Sequence, residues 1–143
     1  MTTLKHLPPG TYKCLSVWQP WAWAIFHGKG IENRNWPTRY RGPLLIHASK
    51  TKEGLDHLET LSENFKLYVL PNDLVFGAIL GMVELYDCQY SLNPSRCGWG
   101  EYDSHHWKLR NQVLLDQPIP FQGKQGLFTV HIPIEPVPGS LLL

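Results

Sequence analysis

Apolar runs in this 143-residue chain are short, and glycine or proline ends nearly every one. Tyr12 to Trp18, Gly30 to Trp36, Leu44 to Ala48, Val75 to Tyr86, Val113 to Leu115 and Leu127 to Ile132 read as strands. Only two stretches look helical. Trp21, Ala22, Ala24 and Ile25 recur at helical spacing behind Pro20, a residue tolerated at a helix start, and Gly28 suits the left-handed residue that ends a helix. Ser49 to Tyr68 carries Leu58, Leu61, Phe65 and Tyr68 as an apolar stripe, with Thr51 as N-cap and Glu53 complementing the helix dipole. A doubly wound parallel sheet needs a helix between most strands, and this order of elements lacks them. Gly77 and Gly81 inside the longest apolar run predict bends, as at the corners of a barrel. The expected class is α+β: a small mixed-sheet β-barrel with two main helices.

The length fits one domain. With 43% hydrophobic and 17% charged residues, the chain has the apolar content for a core, and a disordered class is excluded. Thirteen Lys and Arg against twelve Asp and Glu give +1, which argues against a broad basic face and leaves room for a local patch. Cys14, Cys88 and Cys97 are too few for a disulfide framework and read as reduced thiols of a cytoplasmic protein. No apolar run reaches the roughly 18–20 residues that cross a bilayer. Met1 to Gly10 lacks the apolar core of a signal peptide, and Leu141 to Leu143 is too short to anchor.

The densest chemistry lies between Ser16 and Trp36. Lys29 falls just past the first helix. Glu32, Arg34 and Trp36 share one face of the next strand, with the Cβ atoms of Glu32 and Arg34 about 6.6 Å apart by strand rise. A cation, an anion and a planar fork are thus within reach of one small volume. Arg grips phosphate or carboxylate bidentately, and Lys supplies a point charge or, when desolvated, a base or nucleophile. Glu accepts from a base amino group, and Trp21 and Trp36 offer stacking faces. The plainer alternative is a surface Glu32–Arg34 pair worth about 0–1 kcal/mol beside core tryptophans.

Other candidates are weaker. His105 and His106 with Cys88 and Cys97 fit no tight zinc spacing, so no metal and no cofactor are expected. Ser49 after His47 lacks a nucleophile elbow. Lys50, Lys52, Arg39 and Arg41 extend a basic rim or a solvated face. Glu84, alone in an apolar strand, is either exposed at an edge or a buried partner for Lys29 or Arg34.

The stretch L-S-V-W-Q-P-W-A, then G-K-G-I-E-N-R, then R-G-P-L-L-I-H-A-S resembles the ASCH domain, a branch of the PUA-like superfamily. That family carries a G-x-K-x-x-E-x-R motif, and Lys29, Glu32 and Arg34 match its charged positions. The motif glycine is displaced: position 27 is His, and Gly28 directly precedes Lys29. The resemblance runs from about Tyr12 to Ile132. The expected organisation is a flexible arm over 1–11, read from Pro8-Pro9-Gly10, a single ASCH/PUA-like domain over 12–135 and a C-terminal tail over 136–143. The resemblance implies RNA or nucleotide binding in a charged cleft beside the first helix. Lys29, Glu32, Arg34, Trp36, Gln19 and Trp21 are the expected ligand contacts, and Lys29 and Glu32 the catalytic groups if the chain is an enzyme. Some members of that family resemble hydrolases of acylated cytidine, and others are associated with metal-dependent RNA cleavage. Those enzymes place a Thr where this chain has Glu32. A small hydrolase or nuclease is therefore the alternative. A protein-interaction domain with an adhesive aromatic patch is the third. The partner is RNA or a nucleotide, with no membrane, and oligomeric state is not fixed by sequence.

Overall fold

A computed structural model describes residues 3–134. Its strands are β1 (Thr3–Leu4), β2 (Gly10–Val17), β3 (Ile31–Arg34), β4 (Gly42–Ala48), β5 (Ala78–Ser91), β6 (Ser104–Pro120) and β7 (Leu127–Ile132). Two α-helices, α1 (Trp21–Ile25) and α2 (Leu58–Phe65), lie between strands. The chain is therefore α+β around one seven-stranded mixed sheet, in the order β1-β6-β5-β4-β2-β7, with β3 also pairing β6. Closure into the expected barrel is not found. β6 gives its free edge to β3 at one height and to β1 at another, so no edge returns to β7 among the described strands.

The centre of the sheet explains the unbroken apolar runs. β2 and β4 pair in parallel, Cys14 beside Leu45 and Leu15 beside Ile46. Both of their faces are covered. Leu15, Val17, Leu44 and Ile46 enter one buried cluster with α1 residues Ala22 and Ile25, while Cys14 and Leu45 enter another with Phe128 and Val130. Strands buried on both sides read as continuous hydrophobics rather than alternating ones.

β5 and β6 form a long, bent hairpin. The expected strand from Val75 starts later, at Ala78, and runs on to Ser91, and β6 occupies part of the region expected to be irregular. Three register shifts interrupt their pairing. One falls at Gly81, where a Cβ would lie 2.2 Å from the Val113 carbonyl and 2.9 Å from the Phe26 ring. Only glycine lets the two backbones approach this closely. Each bulge offsets the two-residue alternation, which is why β6 did not read as one strand.

The second expected helix is also shorter. Glu53–His57 is a 3-10 turn, and α2 then ends at Lys66 in the left-handed region, with φ of 57°. The Thr51 hydroxyl accepts from the Glu53 N–H at 3.2 Å, one position into that turn. Gly54 packs on the Gln19 carbonyl so tightly that a Cβ would lie 2.2 Å from it. This contact seats α2 against the start of α1.

Within the segment expected to be a loose arm, Thr3 and Leu4 pair in parallel with Leu114 and Leu115, and Leu7 is buried. The tail over 136–143 lies outside the described residues. No helix among the described residues is long and apolar enough to cross a membrane.

Candidate functional site

Short-range geometry assembles the charged trio. After α1, the N–H groups of His27 and Lys29 both donate to the Ala24 carbonyl, at 2.9 and 3.0 Å. Gly28 sits between them with φ of 110°, a conformation that L side chains rarely adopt. The glycine displaced from the family motif thus still makes the turn that delivers Lys29. β3 then pairs antiparallel with β6, Glu32 opposite Trp107 and Arg34 opposite His105, which fixes the direction of both side chains.

The three groups converge. Lys29 Nζ donates to Glu32 Oε1 at 3.0 Å and to the Ile31 carbonyl. Arg34 Nε donates to Glu32 Oε2 at 3.0 Å, and its Nη2 donates to the Ser16 carbonyl at 2.8 Å. Lys29 and Glu32 are buried, at 3% and 7% exposure, whereas the Arg34 side chain keeps 23%. A solvated surface pair is therefore not the arrangement found. Burial pushes the Glu32 carboxyl up, but the charges and hydrogen bonds of Lys29 and Arg34 outweigh it and hold the group below the usual carboxylate range. Lys29 also sits over the Trp21 ring, 5.8 Å from its centroid.

The trio separates two cavities. The first, about 360 Å³, is lined by Lys29, Glu32, Trp21, Phe65, Trp99 and Glu101. The second, about 860 Å³, is lined by Arg34, Trp18, Trp36 and His47 and by the 122–126 loop. A shallower hollow of about 360 Å³, bordered by Trp18, Trp21, Glu32, Arg34 and Trp36, lies between them. Trp36 packs edge-on against buried Trp107, with ring centroids 4.7 Å apart, and the Trp107 indole donates to the Trp36 carbonyl. Trp18 is 45% exposed.

Sequence reasoning misplaced one contact and missed several. Gln19 is buried, and both ends of its amide are taken: Nε2 donates to the Val75 carbonyl, and Oε1 accepts from the Trp23 N–H, each at 2.8 Å. It clamps α1 to the chain before β5 and lines neither cavity. Glu84 joins neither Lys29 nor Arg34; Arg110 grips it at 3.0 Å through both Nε and Nη2. Among the missed residues, Asn33 holds the segment before β6. Its Nδ2 donates to the Trp99 carbonyl at 2.8 Å, and its Oδ1 accepts from the Glu101 N–H at 2.9 Å. Trp99 in turn stacks on Phe65 of α2 at 3.6 Å. A lone Trp in a polar stretch was the available signal. His105 and His106, neighbours on β6, take different partners: His105 packs beside Tyr90, and buried His106 donates to the Glu101 carbonyl at 2.6 Å. Among the described residues, no group of three His, Cys, Asp or Glu could hold a metal ion.

His47 orders the second cavity. Its Nε2–H donates to the Phe121 carbonyl at 2.7 Å, which leaves Nδ1 to accept from the Ser16 hydroxyl at 2.9 Å. Burial pushes the imidazole below its ordinary value, the Phe121 bond opposes this, and Lys50 adds to it. The unfolded chain thus takes up a proton near pH 6.5 that folded His47 resists. Stability is expected to decline as pH falls below that value, until the folded group titrates as well. Thermal midpoints at about pH 7.5 and 5.5 check this: the drop in wild type should shrink in His47→Asn, and an equal drop in both proteins would contradict it.

The ASCH domain model matches residues 15–113. Over 81 residues the chain is 40% identical to activating signal cointegrator 1 of Homo sapiens and 37% identical to activating signal cointegrator 1 of Mus musculus. Each match covers 52% of this chain and 14% of the relative, so the chain aligns with about one seventh of those proteins' length. With the end of β2, both α-helices, β3, β4, β5 and the first part of β6 inside the matched span, Lys29, Glu32 and Arg34 among them, this chain belongs to the ASCH domain family.

Proposed function

We propose that the chain binds single-stranded RNA or a nucleotide in the trough beside α1. One observation carries this reading. Arg34 is held in place through Nε and Nη2, its Nη1 makes no hydrogen bond among the described residues, and it stands between two cavities bordered by indole rings. A preorganised guanidinium loses little entropy when it meets a phosphate, and nearby indoles suit the faces of unpaired bases.

The hydrolytic alternative asks Lys29 to attack or to abstract a proton. Lys29 instead gives two of its donors to Ile31 and Glu32, which suits a group that orients its neighbours. The two readings separate in one experiment. Titrating the protein with a short oligoadenylate RNA should shift the indole N–H resonances of Trp21 and Trp36. That of Trp23, stacked on His27 on the other side of α1, should stay put. The RNA should be recovered intact with and without a divalent cation. Shifts confined to Trp23, which lines none of these cavities, would reject the trough. Cleavage lost in Lys29→Ala would establish the enzyme.

A further inference from the structure

The cavities on either side of the Glu32–Arg34 pair carry opposite charge. Among the described residues, the larger one is lined by three cations, Arg34, Lys50 and Lys124, and by no carboxylate. The smaller one is lined by Glu32 and Glu101 against Lys29 alone, and Glu32 already neutralises Lys29 at 3.0 Å. A phosphate entering the smaller cavity would meet the Glu101 carboxylate, while in the larger it would meet three cations and no carboxylate of the described residues.

We propose that the larger cavity is the phosphate subsite and the smaller a base subsite, so that a single strand crosses the Glu32–Arg34 pair in an orientation set by charge. This rests on the reading that the chain binds RNA. It assigns the phosphate to Arg34 rather than Lys29 and gives roles to Lys50 and Lys124.

The fold builds the subsite deliberately. Gly123 lies directly on the Ser16–His47 pair; a Cβ there would fall 2.5 Å from Ser16 Oγ and 2.6 Å from His47 Cε1. That close approach brings the 122–126 loop, with Lys124, onto the cavity wall. Lys50 is placed similarly, with its stem against Gly77, where a Cβ would lie 3.1 Å from Lys50 Cγ. Ser16 contributes its carbonyl to Arg34 and its hydroxyl to His47, tying the guanidinium to the cavity floor. The smaller cavity offers what a base needs: the Trp21 and Trp99 indoles, carboxylate acceptors and the Asn64 amide.

The test is a salt titration. Fluorescence anisotropy of labelled oligoadenylate RNA is followed for wild type and for the double variant Lys50→Gln, Lys124→Gln. Both lysines are exposed, so the thermal midpoint should not move. With three phosphate contacts, the wild-type slope of log K against log salt should be about −2, and the double variant's about −0.7. At low salt its affinity should fall on the order of ten-fold. Adenosine, which carries no phosphate, should bind both proteins equally by NMR. An unchanged slope and affinity for RNA would overturn the phosphate subsite. So would an equal loss for adenosine. The RNA-binding reading would still stand if Arg34→Ala weakened binding. No RNA binding by wild type would remove both.

Discussion

Glu32→Ala is expected to cost about 3–5 kcal/mol, because it leaves the Lys29 ammonium buried without its counter-charge. For a chain of this size that is a fall in thermal midpoint of roughly 10–20 °C. The magnitude comes from burial. An exposed i,i+3 pair would contribute about 0.3–0.5 kcal/mol, and Lys29 and Glu32 are instead nearly sealed from water. Removing both charges should be far milder. The double variant Lys29→Met, Glu32→Leu should recover more than half of the loss, because the desolvation cost disappears with the pair. The carboxylate's contribution is present above its unfolded value of 4.5 and is lost as pH falls through the lowered folded value. Urea or thermal melts of the three proteins decide the matter. A loss under about 1 kcal/mol in Glu32→Ala would return the trio to an ordinary solvated face.

How much of this was legible in the sequence depended on distance along the chain. The trio was legible because it is local. Gly28 marks the turn, and the two-residue alternation of β3 puts Glu32 and Arg34 on one side. The central strands were legible because burial on both faces leaves no polar interruption. The rest depended on long-range contacts. Lys50 and Lys124 meet at one cavity because Gly123 can lie on His47, a residue 76 positions earlier, and nothing in either segment announces the other. Asn33 sits between two charged positions on β3, and its amide holds Trp99 and Glu101, residues 66 and 68 positions later, at the smaller cavity. Gln19 looked like a ligand contact because it is polar and sits in a distinctive motif. Its amide satisfies the backbone of Val75 and Trp23 instead, which a buried polar side chain is obliged to do. Gly54, inside the stretch expected to be one long helix, lies in a 3-10 turn against the Gln19 carbonyl, a contact that the apolar stripe does not announce. Bulges between β5 and β6 removed the periodicity by which the long hairpin would have been read.

Arg34 separates stability from binding most cleanly. Its loss leaves Lys29 and Glu32 paired, and its side chain is already about a quarter exposed, so Arg34→Ala should cost only about 1–2 kcal/mol after solvent screening. Binding should suffer more. The guanidinium is the one cation that borders both the larger cavity and the hollow leading to the smaller, and losing a charge-assisted contact there should weaken RNA binding about ten-fold or more. Arg34→Lys keeps the charge but loses the fork and its two anchoring bonds, so most of the loss should remain. The direct measurement is an anisotropy titration of labelled single-stranded RNA with wild type and Arg34→Ala, alongside their melting curves. The account predicts a markedly raised Kd in a protein that melts within a few degrees of wild type; equal Kd values for the two proteins would contradict it.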